Sequence, residues 1–177
     1  ASAYGGFNII KFSKRKISVS PLNISEKKIK ILLDNMILYF SGYQRHAQVI
    51  ERKKIKNINK NKNRLRELYN IGIEAKKLLH SKRKAFLNEF SELLNKSWKL
   101  KKKLSPGVTN KKIDHLIELG LKNGATGAKL LGAGGGGFVL YLTKNKSQKK
   151  KLLKKLSKYK IVNFKIDESG SQILYNN

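Results

Sequence analysis

Apolar residues recur along this chain at two different periods, and the changes of period divide it. Residues 7 to 21 alternate: Phe7 and Ile9, then Ile17 and Val19, stand either side of the turn-like Ser13-Lys14-Arg15-Lys16. Alternation over so short a stretch predicts a β-hairpin, closed by Pro21. Ile29, Leu32 and Leu33 follow at helical spacing behind Ser25, with Glu26 in the first turn, and predict a short helix ending near Asp34-Asn35. Met36 to Phe40 is a compact apolar run stopped by Ser41-Gly42 and reads as a buried strand.

From Arg45 to Asn123 the helical period takes over. Leu65, Leu68, Gly72, Ala75 and Leu79 form one stripe, Phe86, Phe90, Leu93, Leu94 and Trp98 a second, and Ile113, Leu116, Ile117 and Gly120 a third, with Lys between them. The Lys/Asn-rich stretch from Asn57 to Asn63 reads as a loop, Pro106-Gly107 as a break, and Asn123-Gly124 as a C-terminal stop. Alternation then returns: Ala128 to Leu131 and Phe138 to Leu142 read as strands flanking six residues that are nearly all glycine. A helix with Leu152, Leu153 and Leu156 inward and Lys149, Lys150, Lys154 and Lys158 outward follows, and Ile161 to Ile166 and Gln172 to Tyr175 are expected as closing strands. From Met36 the order is strand, helices, strand, strand, helix, strand. That is the α+β, ferredoxin-like split βαβ pattern with helices inserted at the first crossover. Residues 1 to 21 stand outside it, and there is no internal repeat.

Composition bounds the function. A chain of 177 residues that is 40% hydrophobic can bury a core of ordinary size. Its 40 Lys and Arg against 11 Asp and Glu give +29, which points to nucleic acid or an anionic surface. Yet the cations divide as 34 Lys to 6 Arg, a bias that compositional drift toward Lys, Asn and Ile produces by decorating solvated faces. Aromatics interleaved with basic residues are missing from the Lys-rich stretches, and Arg, the usual base reader, is scarce, so no specific nucleic-acid partner is expected. No apolar run approaches the roughly 18 residues of a membrane span. The absence of Cys excludes a disulfide framework and a thiolate centre, and His46, His80 and His115 are scattered. The opening Ala-Ser-Ala-Tyr-Gly-Gly has neither an initiator Met nor the build of a signal peptide, and reads as a chain entered in its middle.

The chemistry concentrates at the glycines. Half of the 14 lie between Gly124 and Gly137, and packing alone does not ask for four in a row, because consecutive glycines cost backbone entropy. Such a run persists where φ is positive or where another group must approach the main chain, and bare amides in a concave turn form an anion nest. Gly132, Gly134 and Gly137 satisfy G-x-G-x-x-G, but a strand follows where a dinucleotide fold needs a helix, and there is no Gly-Lys-Ser/Thr for a Walker A loop. Two readings stay open on the residues alone: a phosphate loop and a flexible hairpin.

The longer string Gly127-Ala128-Lys129-Leu130-Leu131-Gly132-Ala133-Gly134-Gly135-Gly136-Gly137-Phe138 closely resembles the C-terminal motif of the GHMP small-molecule kinases. Ser41-Gly42-Tyr43-Gln44-Arg45-His46-Ala47 is similar to the segment with Gly, Arg and Ala in sugar 1-kinases of that superfamily. Trp98-Lys99-Leu100-Lys101, Val108-Thr109-Asn110, Ile113-Asp114 and the opening Tyr4-Gly5-Gly6-Phe7-Asn8 resemble its heptose 7-phosphate kinase branch. Tyr43-Gln44 departs from the small or hydroxyl residues common there.

The resemblance implies a ferredoxin-like C-terminal domain over residues 25–177. It also implies that residues 1–24 are a hairpin left from the N-terminal kinase domain, with the catalytic Asp and main ATP loop upstream of Ala1. It implies that Gly132, Ala133, Gly134, Gly135, Gly136 and Gly137 meet nucleotide phosphates and that Gly5, Gly6, Gly42, Arg45 and Lys101 meet substrate. ATP with Mg²⁺ would serve a cytoplasmic transfer to a sugar hydroxyl, with a heptose 7-phosphate as acceptor. The partners implied are ATP, the sugar and the N-terminal domain; the rival classes are a basic nucleic-acid-binding protein and a non-catalytic regulatory domain.

Arg45 sits past a strand end where its planar fork could grip phosphate, or it is a surface arginine. Lys101 could meet an anion, though Lys99, Lys102 and Lys103 beside it read equally well as a solvated helix end. Trp98 reads as core, and Asp114 as a carboxylate favouring a helix dipole.

Overall fold

The computed structural model describes residues 3–42, 47–83 and 85–175. Strands β1 (Asn8–Phe12) and β2 (Ile17–Pro21) form the expected hairpin, a two-stranded antiparallel sheet of its own. Its entry is tied to the far end of the chain. Gly6 donates its N–H to the Asp167 carbonyl, Ser171 donates to that of Ala3, and a Cβ on Gly5 would lie 2.6 Å from the Gly170 nitrogen.

Helix α1 (Glu26–Asn35) runs directly into strand β3 (Met36–Phe40). Helices α2 (Ala47–Lys56), α3 (Lys62–His80), α4 (Phe86–Lys102) and α5 (Lys111–Lys122) fill the crossover to strands β4 (Ala125–Leu130) and β5 (Phe138–Thr143). Helix α6 (Lys146–Lys155) leads to the short β6 (Ile161–Val162). The second sheet has the order β4-β5-β3-β6 with every pair antiparallel, which is the split βαβ topology the element order implied.

Side chains alternate across this sheet. Tyr39, Val139 and Tyr141 face Ile113, Leu116, Leu152 and Leu156 in one core, while Leu142 of the opposite parity joins Leu32, Leu78, Phe86 and Leu87 in another. Edge strand β4 is covered by α4. Asn95 donates to the Thr126 carbonyl at 2.8 Å and accepts from the Ala128 N–H at 2.9 Å, so one side-chain amide substitutes for a neighbouring strand. Gly127 lets the helix this close, since a Cβ there would lie 2.9 Å from the Ser91 Cα. Among the described residues no helix is long and apolar enough to cross a membrane.

Five sequence expectations are corrected. Residues 172–175 are exposed and irregular, not a closing strand, and the strand expected over 161–166 shortens to two residues. The buried face of α3 runs through Ile71 and Leu78, leaving Leu65 37% exposed and Gly72 in open space. The 3.6-residue period fits both faces of that helix, and packing against α4 selected the other one. The Lys/Asn stretch holds a 3-10 turn (Asn59–Asn61) and the start of α3, because Asn61 is buried and donates to the Leu104 carbonyl at 2.7 Å. Lys149 is not simply outward: its Nζ donates to the Leu33 carbonyl at 3.3 Å.

Candidate functional site

The glycine loop closes the β4–β5 hairpin. Leu131 donates its N–H to the Phe138 carbonyl at 2.8 Å, which fixes the base and leaves residues 132–137 to turn. Gly132, Gly134, Gly135 and Gly137 have φ of +70°, +113°, +76° and +98°, the left-handed region that side chains oppose. Neighbours also hold the loop. The Gly135 N–H donates to the Val108 carbonyl at 2.8 Å, and a Cβ on Gly134 would stand 2.9 Å from the Val108 Cα. Val108 is itself fully buried, so the loop rests on the segment between α4 and α5 as on a floor.

That floor is rigid for local reasons. Asn110 caps α5, its Oδ1 accepting from the N–H groups of Lys112 and Ile113 at 3.0 Å each. Asp114 in the first turn accepts from the Thr109 hydroxyl at 3.1 Å and pairs with Lys102 at 3.2 Å, in keeping with a structural role. Among the described residues the N–H groups of Gly134, Gly136 and Gly137 donate to nothing within the chain. A turn with such donors on a fixed floor can receive an anion.

Several anticipated residues gather at this loop. Ser41 donates to the Gly137 carbonyl at 2.8 Å, so the end of β3 and Gly42, whose φ is +77°, lie beside the loop's exit. Lys101 lies at its entrance, its Nζ donating to the Gly132 carbonyl and, at 3.3 Å, to that of Leu130. Burial pulls Lys101 down to about 8, helped by the nearby charges of Lys129 and Lys54 and opposed by Glu51. Lys129 is lowered too, by burial, and donates to the Ser97 hydroxyl at 2.6 Å.

Gly5 and Gly6 lie at the entry of the hairpin, where Gly5 approaches Glu168 and Gly170 and the Gly6 N–H donates to the Asp167 carbonyl. Arg45, with Tyr43, Gln44 and His46, lies outside the described residues. Trp98 is core, 4% exposed. His80 and His115 are exposed, and among the described residues no group of three His, Cys, Asp or Glu could hold a metal ion. Val108 as the floor, Ser97, Lys54 and the inward turn of Lys129 were missed from sequence. The one available signal was the position of Lys129 inside the glycine string.

A family model described as GHMP kinases C terminal matches residues 77–161. The D-glycero-alpha-D-manno-heptose 7-phosphate kinase of Campylobacter jejuni is 31% identical over 159 residues, which is 89% of this chain and 46% of that protein. The mevalonate kinase of Methanocaldococcus jannaschii is 43% identical over 70 residues, 40% of this chain and 21% of that one. Among solved structures, L. major mevalonate kinase in complex with R-mevalonate aligns with a TM-score of 0.69 at 20% identity, over 88% of this chain and 45% of its own, a likeness of fold.

The split βαβ domain with its anchored glycine loop at one end of the sheet matches the fold of a GHMP kinase C-terminal domain. Residues 77–161 match the C-terminal domain of the GHMP kinases, and the wider chain is similar to a heptose 7-phosphate kinase of that class. The chain spans less than half the length of these relatives.

Proposed function

We propose that the chain is the C-terminal part of an ATP-dependent sugar kinase that transfers the γ-phosphoryl group to the anomeric hydroxyl of a heptose 7-phosphate. The observation that carries this is the glycine loop fixed on Val108, with the N–H groups of Gly134, Gly136 and Gly137 donating to nothing among the described residues. Phosphoryl transfer is chiefly positioning and charge stabilisation, and a preorganised set of N–H groups supplies both. The heptose acceptor is supported by the Campylobacter relative.

On this reading residues 1–24 close the N-terminal kinase domain and 25–177 form the C-terminal one. Gly5, Gly6, Gly42, Arg45 and Lys101 meet substrate, and the catalytic Asp comes from the N-terminal half. ATP brings its own Mg²⁺, which neutralises phosphate charge when bound. The donors of the loop fit the nucleotide, and this chain's part is to hold the phosphates and keep the acceptor in line. Cytoplasmic work is the natural setting for an ATP-dependent sugar kinase.

Gly136 gives the cleanest test because, unlike its neighbours, it does not have a positive φ. In the full-length enzyme Gly136→Val should lower turnover on the order of 10²-fold, as much as losing one oxyanion donor, because its side chain keeps the phosphate from the loop amides, with little change in the unfolding midpoint. ADP release dependent on heptose 7-phosphate is the assay, and the 177-residue chain alone should show none. Undiminished turnover in a folded Gly136→Val enzyme, or sugar-dependent turnover by the chain alone, refutes the assignment.

A further inference from the structure

We propose that residues 167–171 are a strap that fixes the backbone of residues 3–6, and that Gly170 is thereby a positioning residue for the acceptor sugar. This rests on the kinase reading, which gives Gly5 and Gly6 to the acceptor, and adds to it the segment that holds them in shape.

Past β6 the chain runs without regular structure and returns to the entry of the β1–β2 hairpin. Two backbone hydrogen bonds join the segments, from the Gly6 N–H to the Asp167 carbonyl at 2.6 Å and from the Ser171 N–H to the Ala3 carbonyl at 3.1 Å. Between them two glycines approach each other. A Cβ on Gly5 would stand 2.5 Å from the Glu168 carbonyl oxygen and 2.6 Å from the Gly170 nitrogen. A Cβ on Gly170 would stand 2.5 Å from the Ala3 carbonyl oxygen and 2.8 Å from the Gly5 nitrogen. Both glycines have left-handed backbones, with φ of +64° and +67°. Local bonds shape each side. The Ser169 N–H donates to the Asp167 carboxylate at 2.9 Å, and the Asn8 side-chain amide donates to the Gly5 carbonyl at 2.5 Å.

This fit builds no core. None of residues 3–6 or 167–171 belongs to either apolar cluster, and Ile173, Leu174 and Tyr175 just beyond are exposed. A bend of small residues in water samples many shapes, and glycine on both sides of the contact raises the entropy lost in holding one. What the contact determines is the conformation of Tyr4-Gly5-Gly6, the bend that carries the expected acceptor contacts. A backbone already held in one shape binds without losing that entropy when the ligand arrives, and a slightly misplaced acceptor reacts far more slowly. The glycine loop is held by a different segment, at Val108, so the strap should act on the acceptor and leave the nucleotide alone.

The test is Gly170→Ala in the full-length enzyme. Its methyl group meets opposing main chain, with no flexible side chain to give way, while both cores are untouched, so the unfolding midpoint should match wild type. Hydrogen exchange at the Gly6 amide should quicken at least about ten-fold as its bond to Asp167 opens. In coupled ADP-release assays the KM for heptose 7-phosphate should rise at least about ten-fold with the KM for ATP unchanged. Ser171→Ala keeps the N–H that bonds Ala3 and alters only an exposed side chain, so it should match wild type throughout.

A lowered midpoint with both KM values unchanged is what a merely structural contact gives, and it overturns the proposal. Unchanged Gly6 exchange, an unchanged acceptor KM, an equal rise in both KM values, or the same changes in Ser171→Ala also overturn the strap, and all of these leave the kinase standing. Wild-type enzyme without ADP release that depends on heptose 7-phosphate fails at the kinase reading itself, before any variant is compared, and takes the strap with it.

Discussion

Replacing Gly120 with alanine should destabilise the protein, although it improves the helix. In the interior of an exposed helix the change would gain about 1 kcal/mol. Here a Cβ would stand 2.7 Å from Cδ1 and 2.8 Å from Cζ of Tyr141, and closer still to Cε1. The ring cannot yield freely. Tyr141 is fully buried, its hydroxyl donates to the Leu116 carbonyl at 2.7 Å, and it meets Tyr39 edge-on with centroids 5.8 Å apart. Overpacking of this kind costs about 1–3 kcal/mol, and breaking the buried hydrogen bond adds about 1–3. Net of the helix gain, a loss of about 3 kcal/mol is expected. Urea unfolding of wild type and Gly120→Ala measures it, and Tyr141→Leu in both backgrounds isolates its cause. The loss should shrink by at least about 1 kcal/mol once the ring is gone. A raised midpoint for Gly120→Ala, or strict additivity with Tyr141→Leu, would refute the close-approach argument.

Tyr39→Phe should raise stability by about 1 kcal/mol, because the fully buried hydroxyl has no partner among the described residues and desolvating it costs that much or more; an unchanged or lowered urea midpoint would count against this. Asn95→Leu should cost about 2 kcal/mol by uncovering two backbone groups on the β4 edge, with faster hydrogen exchange at Ala128; exchange no faster than wild type would mean the amide is not what covers that edge. Lys101 titrates near 8 folded and near 10.5 unfolded, so the unfolded chain binds more protons between those values and stability rises with pH across that window. The whole difference is at most roughly 3 kcal/mol, and partial exposure discounts it to about 1–2. Thermal midpoints of wild type minus Lys101→Met should climb from pH 8 to 10.5, and a flat difference would show that Lys101 carries no such burden.

What the sequence revealed follows from what periodicity encodes. The α5 stripe of Ile113, Leu116, Ile117 and Gly120 is buried as expected because one side of that helix is apolar and the other charged. Helix α3 carries apolar residues on two faces, Leu65, Tyr69 and Ile73 against Leu68, Ile71 and Leu78, and the choice between them is made by α4. A run such as Gln172 to Tyr175 has strand composition, but β6 pairs over only two residues and offers those side chains no sheet to join. The glycine loop was legible because four consecutive glycines are costly without a reason. The backbone supplies one, in four left-handed residues and a floor of bare main chain at Val108.

The lysines show why the rest of the site was not legible. In composition Lys101 and Lys129 are indistinguishable from the other 32, and local sequence gives Lys101 no privilege over Lys102. Their difference is tertiary. Asn95 and Ser91 draw α4 onto the β4 edge until Gly127 meets the Ser91 backbone, and that approach carries Ser97 and Lys101 over the strand end where Lys129 and Gly132 lie. The same packing that closes an edge strand therefore converts two of many cations into partly buried ones beside the loop. A change at Asn95 should consequently reach the site as well as the fold. If Asn95→Leu lets α4 withdraw, Lys101 regains water and its pKa climbs from about 8 toward the ordinary 10.5. NMR titration of the Lys101 side chain in that variant measures this, and a value still near 8 would show that the lysine is held down without the help of the covered edge.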